Sequence, residues 1–331
     1  MQRPIDIADI DIVIFHAKCQ DGITASHIFK HKCNEINKSL KLMPSGHKGE
    51  EVKMDTIKGK NIIMVDIVTD NIEEIKKNAN KLYVLDHHKT AVDKYSDLEY
   101  CYFDMFKCGT TLAYEYVYEN QEIPKFIKCI ESRDLWTWEA ENSKEFTTGY
   151  YEKSLTEDLF ELFKILTEEN DHKLFNEIIE FGKELIIKKD EQINKYFSTV
   201  KIKHIKIKKI TEFNKHKDAI LDVMFDNIKI DDNSYCKNEK NEDIIYKIVK
   251  IEANDELYAL RSDFGNYCML NLDIDFIVIY KFNEDTSEYF CSLKSTKEKV
   301  DLVKNKIAKG HPCAAGLTLN YHPDEHFINV E

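Results

Sequence analysis

Three short apolar runs near the N-terminus each end in a group that can bind a proton or a cation. Asp11-Ile12-Val13-Ile14-Phe15 leads into His16, with Asp21-Gly22 five residues on. Asn61-Ile62-Ile63-Met64-Val65 leads into Asp66, and Lys81-Leu82-Tyr83-Val84-Leu85 leads into Asp86-His87-His88. Runs this short and this rich in β-formers read as buried strands, and helical stretches between them imply a parallel sheet. In an open parallel sheet the loops at the carboxyl ends of the strands converge on one crevice. His16, Asp21, Asp66, Asp86, His87 and His88 are therefore expected in one place. Carboxylates that close repel one another unless a cation compensates them. Histidine with carboxylate suits Mn²⁺, Fe²⁺ or Zn²⁺ better than Ca²⁺. Two such ions about 3.5–4 Å apart would activate a water and stabilise a leaving oxygen in phosphoryl chemistry. Taken singly, Asp66 reads as a helix cap, His87-His88 as a solvated loop and Asp134 as a surface partner for a lysine. The combination and its order carry the reading.

The elements that must position these groups follow from the pattern between them. Helices are expected over Ile23–Ile36, Asn71–Asn80, about 109–119 and about 122–132, the last opened by Pro124. Over 153–197, Leu155, Leu159, Phe160, Leu162, Phe163, Leu166, Leu174, Ile178, Ile179, Leu185 and Ile186 recur at helical spacing. From about 200 the pattern returns to strands: Thr199–Ile210, Ala219–Met224, Ile244–Ile251, Phe276–Tyr280 and Tyr289–Leu293. Asp231–Asp243 reads as an exposed polar loop, and a final helix is expected over 297–309, ending at Gly310. The division is an N-terminal parallel-sheet α/β domain over 1–150, a helical bridge over 151–199, and a C-terminal α+β domain over 200–331.

Composition narrows the classes. A chain of 331 residues with 43% hydrophobic and 32% charged residues is expected to form a soluble protein of two domains. No apolar run approaches the ~18 residues of a membrane span, and the first ten residues carry acids where a signal peptide carries bases. Nine cysteines are scattered without a CxxC pair, which argues against a disulfide framework and for a reducing, cytoplasmic setting. The net charge of −13 argues against holding long nucleic acid by phosphate neutralisation. Arginine, the bidentate phosphate clamp, occurs only as Arg3, Arg133 and Arg261 against 44 lysines.

Leu85-Asp86-His87-His88 after an apolar strand resembles the signature of the DHH phosphoesterases. Phe15-His16-Ala17-Lys18-Cys19-Gln20-Asp21-Gly22-Ile23-Thr24-Ala25-Ser26 is similar to that family's first metal motif, Met64-Val65-Asp66 to its second, and Arg133-Asp134-Leu135-Trp136 to its fourth. Cys108-Gly109-Thr110-Thr111-Leu112-Ala113 resembles the helix start that follows the DHH residues. Near the C-terminus, Lys309-Gly310-His311-Pro312-Cys313-Ala314-Ala315-Gly316 resembles the Gly-Gly-His motif of the DHH-associated domain, and Ser292-Leu293-Lys294-Ser295 its Ser-Leu-Arg-Ser strand.

The resemblance implies two Mn²⁺ ions, with Mg²⁺ or Co²⁺ as alternatives. One would be held by His16 and Asp66, the other by Asp21, Asp66, His87 and Asp134, so that Asp66 bridges and a water activated between the ions attacks phosphorus. His88 would contact the phosphate, and Asp86 would orient a ligand histidine. The C-terminal domain would close over the cleft, with Gly310 and His311 meeting a phosphate and Lys294 and Arg261 adding phosphate or base contacts. Three positions depart from the pattern. Cys19 stands near an acid of the first motif and is either a thiolate ligand or an inert core cysteine. Lys309 replaces a glycine, and Lys294 replaces an arginine. Trp136 and Trp138 read first as packing residues, with base stacking as the alternative. The leading expectation is a manganese-dependent phosphodiesterase of the nanoRNase or oligoribonuclease kind, an exonuclease on short oligonucleotides, with no membrane partner and with a homodimer allowed. Polyphosphate, 3′-phosphonucleotides and cyclic dinucleotides are the alternative substrates, and a degenerate DHH scaffold is the non-enzymatic alternative.

Overall fold

The computed structural model describes residues 3–17, 19–49, 51–154, 158–168, 172–213, 228–235, 244–296, 298–305, 307–311 and 313–330. They fall into two units, Met1–Ile187 and Lys188–Glu331. The first is a parallel α/β unit and the second is built on a largely antiparallel sheet, the architecture expected from the sequence.

The first unit runs β1 (Ile12–His16), α1 (Gln20–Glu35), β2 (Lys41–Ser45), α2 (Met54–Ile57), β3 (Asn61–Val65), α3 (Ile72–Asn78), β4 (Lys81–Asp86), α4 (Lys89–Tyr95), β5 (Cys101–Phe103), α5 (Gly109–Val117) and α6 (Lys125–Asp134). Among the described residues the sheet order is β2-β1-β3-β4-β5, every neighbouring pair parallel. Alternate residues of each strand enter different cores. Val13, Phe15, Ile63, Val65, Tyr83 and Leu85 join the core formed with α1, α5 and α6. Ile12, Ile14, Ile62, Met64, Leu82 and Val84 join the other. Burial on both faces is why these strands read as unbroken apolar runs rather than alternating ones. It is also why polar groups collect only at their ends.

Part of the stretch 151–199, read from the sequence as a bridge, contributes to the first of these cores. After α7 (Ser143–Ser154) and α8 (Leu159–Glu168), α9 (His172–Phe197) carries the chain across the boundary between the units. Phe146, Tyr150, Phe160, Leu162, Phe163, Leu166, Ile178 and Ile179 all lie in that core. Helices α7 and α9 meet through two glycines. A Cβ on Gly149 would come 2.2 Å from the Ile178 carbonyl oxygen, and one on Gly182 would come 1.9 Å from the Glu145 carbonyl oxygen.

The second unit continues with β6 (Ile202–Phe213), β7 (Ile228–Tyr235), β8 (Tyr246–Glu252), α10 (Asp255–Ala259), α11 (Arg261–Asn271), β9 (Phe276–Asn283), β10 (Glu288–Lys294), β11 (Lys309–His311), β12 (Ala314–Leu319) and β13 (Phe327–Asn329). The order is β11-β12-β10-β9-β8-β6-β13, with β7 paired to β6. Leu257, Phe264 and Cys268 of α10 and α11 pack with Val249, Ile277 and Ile279. Leu302 and Ile307 pack with Ile248, Val278, Leu293 and Leu317.

Two sequence expectations change here. Asp231–Tyr235, read as loop, lies in β7, where an outer strand draws on ladder hydrogen bonds to β6 that a polar sequence supplies as well as an apolar one. The helix expected over 297–309 is a set of turns. The Asp301 carboxylate accepts from the Val303 and Lys304 amides, and Ile307 and Ala308 both donate to the Leu302 carbonyl, so local capping displaces the helical ladder. The strand expected over 219–224 lies outside the described residues.

The α7–α9 contact generates a stability prediction. Gly182→Ala forces two backbones apart and should cost about 1–3 kcal/mol. A fall in the urea midpoint of the first unit, followed by circular dichroism, would show it; an unchanged midpoint would mean that the helices part freely.

Candidate metal centre

The carboxyl ends of β1, β3 and β4 lie side by side, and each delivers its terminal polar group to the same edge of the sheet. His16 closes β1, Asp86 closes β4, and Asp66 follows β3 with a left-handed backbone at φ 60°. A non-glycine residue there costs of order 1–3 kcal/mol, held in this case by the amide of Asp66 donating to the Leu85 carbonyl at 2.9 Å. Asp21 comes from the first turn of α1. Its carboxylate accepts the Gly109 and Thr110 amides at 2.6 and 2.7 Å, so it caps α5 from another helix. The Thr110 hydroxyl returns a bond to the Asp21 carbonyl at 2.9 Å. Asp134 is the last residue of α6.

His87 joins the carboxylates. Its Nε2 is 3.1 Å from Asp66 Oδ1, 3.4 Å from Asp134 Oδ2 and 3.8 Å from Asp21 Oδ2. His16 Nδ1 is 3.5 Å from Asp66 Oδ2. His88 Nδ1 lies 2.7 Å from Asp86 Oδ1, which also accepts the His87 amide at 2.8 Å. Two glycines permit the approach. A Cβ on Gly22 would lie 2.9 Å from Asp66 Oδ2, and one on Gly109 would lie 2.6 Å from Asp66 Cβ.

The charges are unbalanced in a way that points to a cation. Burial pushes the Asp21 carboxyl well above the usual carboxylate range, and Asp66 and Asp134 push the same way. Burial raises Asp134 too, with His87 opposing and Asp66 adding. Burial would raise Asp66, but the His16 and His87 imidazoles outweigh it and hold that carboxyl below the usual range. Burial would lower His87, but Asp66, Asp21 and Asp134 drive it up to about 9. The bond to Asp86 raises His88. Four atoms here, His16 Nδ1, Asp66 Oδ2, Asp86 Oδ2 and Asp134 Oδ2, are buried with no hydrogen-bond partner among the described residues. Orphaned acceptors on crowded carboxylates suit divalent cations, and three overlapping donor groups could hold them: Asp21, His87 and Asp134; His16, Cys19 and Asp66; and Asp66, Asp86, His87 and His88.

The structure thus brings together His16, Asp21, Asp66, Asp86, His87, His88 and Asp134. Arg261, Lys294, Gly310 and His311 belong to the second unit. There, Lys294 on β10 is opposite Ala314 of β12, which is opposite His311 on β11, so they stand in one cross-strand row, with Gly310 opposite Ala315. Lys294 is half-buried; burial lowers its ammonium pKa, the Arg261 charge adds to that and Asp263 opposes it. Its stem lies over Gly265, where a Cβ would come 2.7 Å from Lys294 Cγ. Arg261 opens α11, donating to the Tyr258 carbonyl at 2.9 Å with its guanidinium 4.8 Å from the Tyr258 ring centroid. The side chain of His311 lies outside the described residues.

Sequence reasoning missed His47. Its ring is 4.9 Å from that of His16 and 6.3 Å from that of His88. It follows β2, a strand hidden by Pro44 and by a short apolar content, so the loop after it drew no attention. Trp136 and Trp138, read first as packing residues, are 68% and 36% exposed. They sit at φ 59° and 57°, with rings 4.9 Å apart, edge to face, just beyond Asp134.

Residues 11–136 match the family model described as DHH family, N-terminal domain. The chain is 26% identical over 331 residues to the uncharacterized protein R106 of Acanthamoeba polyphaga mimivirus, across 94% of this chain and 68% of that one. Among solved structures, the pGpG-specific phosphodiesterase PggH of Vibrio cholerae is similar at 9% identity and a TM-score of 0.45, covering 94% and 93% of the two chains. RecJ of Thermus thermophilus in complex with Mn²⁺ is similar at 10% identity and a TM-score of 0.48, covering 94% and 50%.

The site's electrostatics give a pH dependence. A histidine raised to about 9 from its ordinary 6.5 carries its proton at neutral pH, and a metal ligand must give it up. Ion affinity should climb with pH and level off above about 9. At pH 7, Mn²⁺ binding should release a proton, read from calorimetric heats in buffers of different ionisation enthalpy. Heats that do not depend on buffer would remove His87 from the ligand set. Asp66→Asn should abolish divalent-ion binding while the chain stays folded by circular dichroism.

Proposed function

We propose that this chain, whose residues 11–136 form a DHH-family domain, is a manganese-dependent phosphodiesterase that hydrolyses short oligonucleotides to mononucleotides. The observation that supports it most is the cluster around Asp66: three carboxylates and two imidazoles within reach of one another, with buried acceptors unpaired. His16 and Asp66 would hold one ion, and Asp21, Asp66, His87 and Asp134 the other. A pair of divalent ions, when bound, supplies a water nucleophile at neutral pH and positive charge for the phosphoryl oxygens.

The chain's own groups do the rest. Asp21 is fixed by two amides of α5, so its carboxylate cannot rotate away. His88 is fixed at Nδ1 by Asp86, which raises its proton affinity and leaves Nε2 to donate to a phosphate oxygen. A chain that had lost catalysis would have no cause to keep this whole set, which speaks against a scaffold.

A nucleobase-bearing substrate is favoured over polyphosphate by Trp136 and Trp138. Two exposed indoles beside Asp134 offer a stacking face that a chain of phosphates cannot use. Stacking is worth about 1–3 kcal/mol per base. These are the only two tryptophans in the sequence, so intrinsic tryptophan fluorescence reports on this place alone. A nucleoside monophosphate should quench it and inorganic phosphate should not. Equal responses to both would sink the stacking role.

The test of the reading is a Mn²⁺ assay on a dinucleotide, a ~20-mer, cyclic dinucleotides, 3′,5′-bisphosphonucleotide and polyphosphate. The net charge of −13 should repel polyanion that extends beyond the site. kcat/KM is therefore expected to fall from the dinucleotide to the 20-mer, more steeply at low salt where screening is weaker. Faster, processive degradation of the long strand would replace this reading with a long-strand exonuclease.

A further inference from the structure

Cys19, at the start of α1, sets a sulfur donor near the Asp66 carboxylate. Donor atoms of His16, Cys19 and Asp66 all lie within 4.8 Å of one another. An ion bonded to N, O and S at about 2.0–2.3 Å holds its donors at up to about twice that separation, so little closure is needed. Asp66 is 1% exposed, and its Oδ2 has no hydrogen-bond partner among the described residues. His16 Nδ1, 3.5 Å from that oxygen, has none either. Cys19, like Cys101 and Cys313, is partly exposed, whereas Cys33, Cys108, Cys129, Cys268 and Cys291 are buried. Cys19 precedes α1 in an N-cap position.

We propose that Cys19 is a thiolate ligand at this position, with His16 and Asp66, and that the position selects Zn²⁺, Fe²⁺ or Co²⁺ over Mn²⁺ or Mg²⁺. The inference rests on reading the cluster as a cation site. The other two donor groups, Asp21 with His87 and Asp134, and Asp66 with Asp86, His87 and His88, offer only nitrogen and oxygen. One thiolate therefore makes the two positions chemically unlike, since sulfur favours softer ions and carboxylate with imidazole accepts harder ones. On binding, the thiol proton leaves to the buffer and the sulfur–metal bond takes its place. The centre then takes two different metals rather than a matched pair.

Co²⁺ titration of the full chain tests this directly. The wild type should show a near-ultraviolet sulfur-to-cobalt charge-transfer band that saturates with binding. Cys19→Ser should lose the band. Cys19→Asp should lose it too, and should shift the preference of one site toward Mn²⁺ by at least tenfold in competition calorimetry. A band of undiminished intensity in Cys19→Ser overturns the proposal. So does Co²⁺ that binds the wild type without any band but is lost in Asp66→Asn; that outcome leaves the cation site standing and removes only the sulfur. Equal Co²⁺ uptake by Asp66→Asn and the wild type would instead overturn the reading of the whole cluster.

Discussion

The mutual repulsion of Asp21, Asp66 and Asp134 inside one crevice is the constraint that the first unit answers to. Asp21 and Asp66 are each 1% exposed, so water does not screen them. Protein groups offset part of the cost. Two helix-terminal amides bind Asp21, and the imidazoles of His16 and His87 lie against Asp66. What remains is a set of acceptors with no donor among the described residues. Relieving it with a divalent ion couples the electrostatics of folding to the chemistry of the site.

That arrangement demands close backbone approach as well as charge. Gly22 and Gly109 open toward Asp66 at distances that no side chain allows. Asp66 itself bends through a left-handed conformation to leave β3. Such local costs persist because the two cores on either face of the sheet hold β1, β3 and β4 in register. A rigid apolar sheet with polar ends is thus the scaffold that lets repelling groups be kept together.

The second unit treats its buried cations in two ways. Lys250 is spent on structure: it pairs with Asp324 and donates to the Phe327 carbonyl at 2.9 Å, tying the C-terminal strand to β8. Lys294 feels Asp263 only as the weakest influence on it, after burial and the like charge of Arg261. An ammonium held half-buried beside a like charge carries positive charge that its own unit leaves largely unbalanced.

The sequence by itself determined that a parallel sheet would carry His16, Asp21, Asp66, Asp86, His87 and His88 at its strand ends, because doubly buried strands leave polar residues nowhere else to go. Motif resemblance added Asp134, and in the second unit pointed to Lys294, Gly310 and His311, whose cross-strand placement only the structure gives. Tertiary structure alone decided the rest, since it depends on neighbours distant in sequence. The amides that hold Asp21 come from residues 109 and 110, and His47 reaches the site from a strand that Pro44 disguised. Asp301 broke a helix that apolar spacing favoured, because a side chain that caps its own turn competes with the ladder. Exposure of Trp136 and Trp138, and the nearness of Cys19 to the open side of Asp66, are likewise matters of three-dimensional placement, which no periodicity in a single chain encodes.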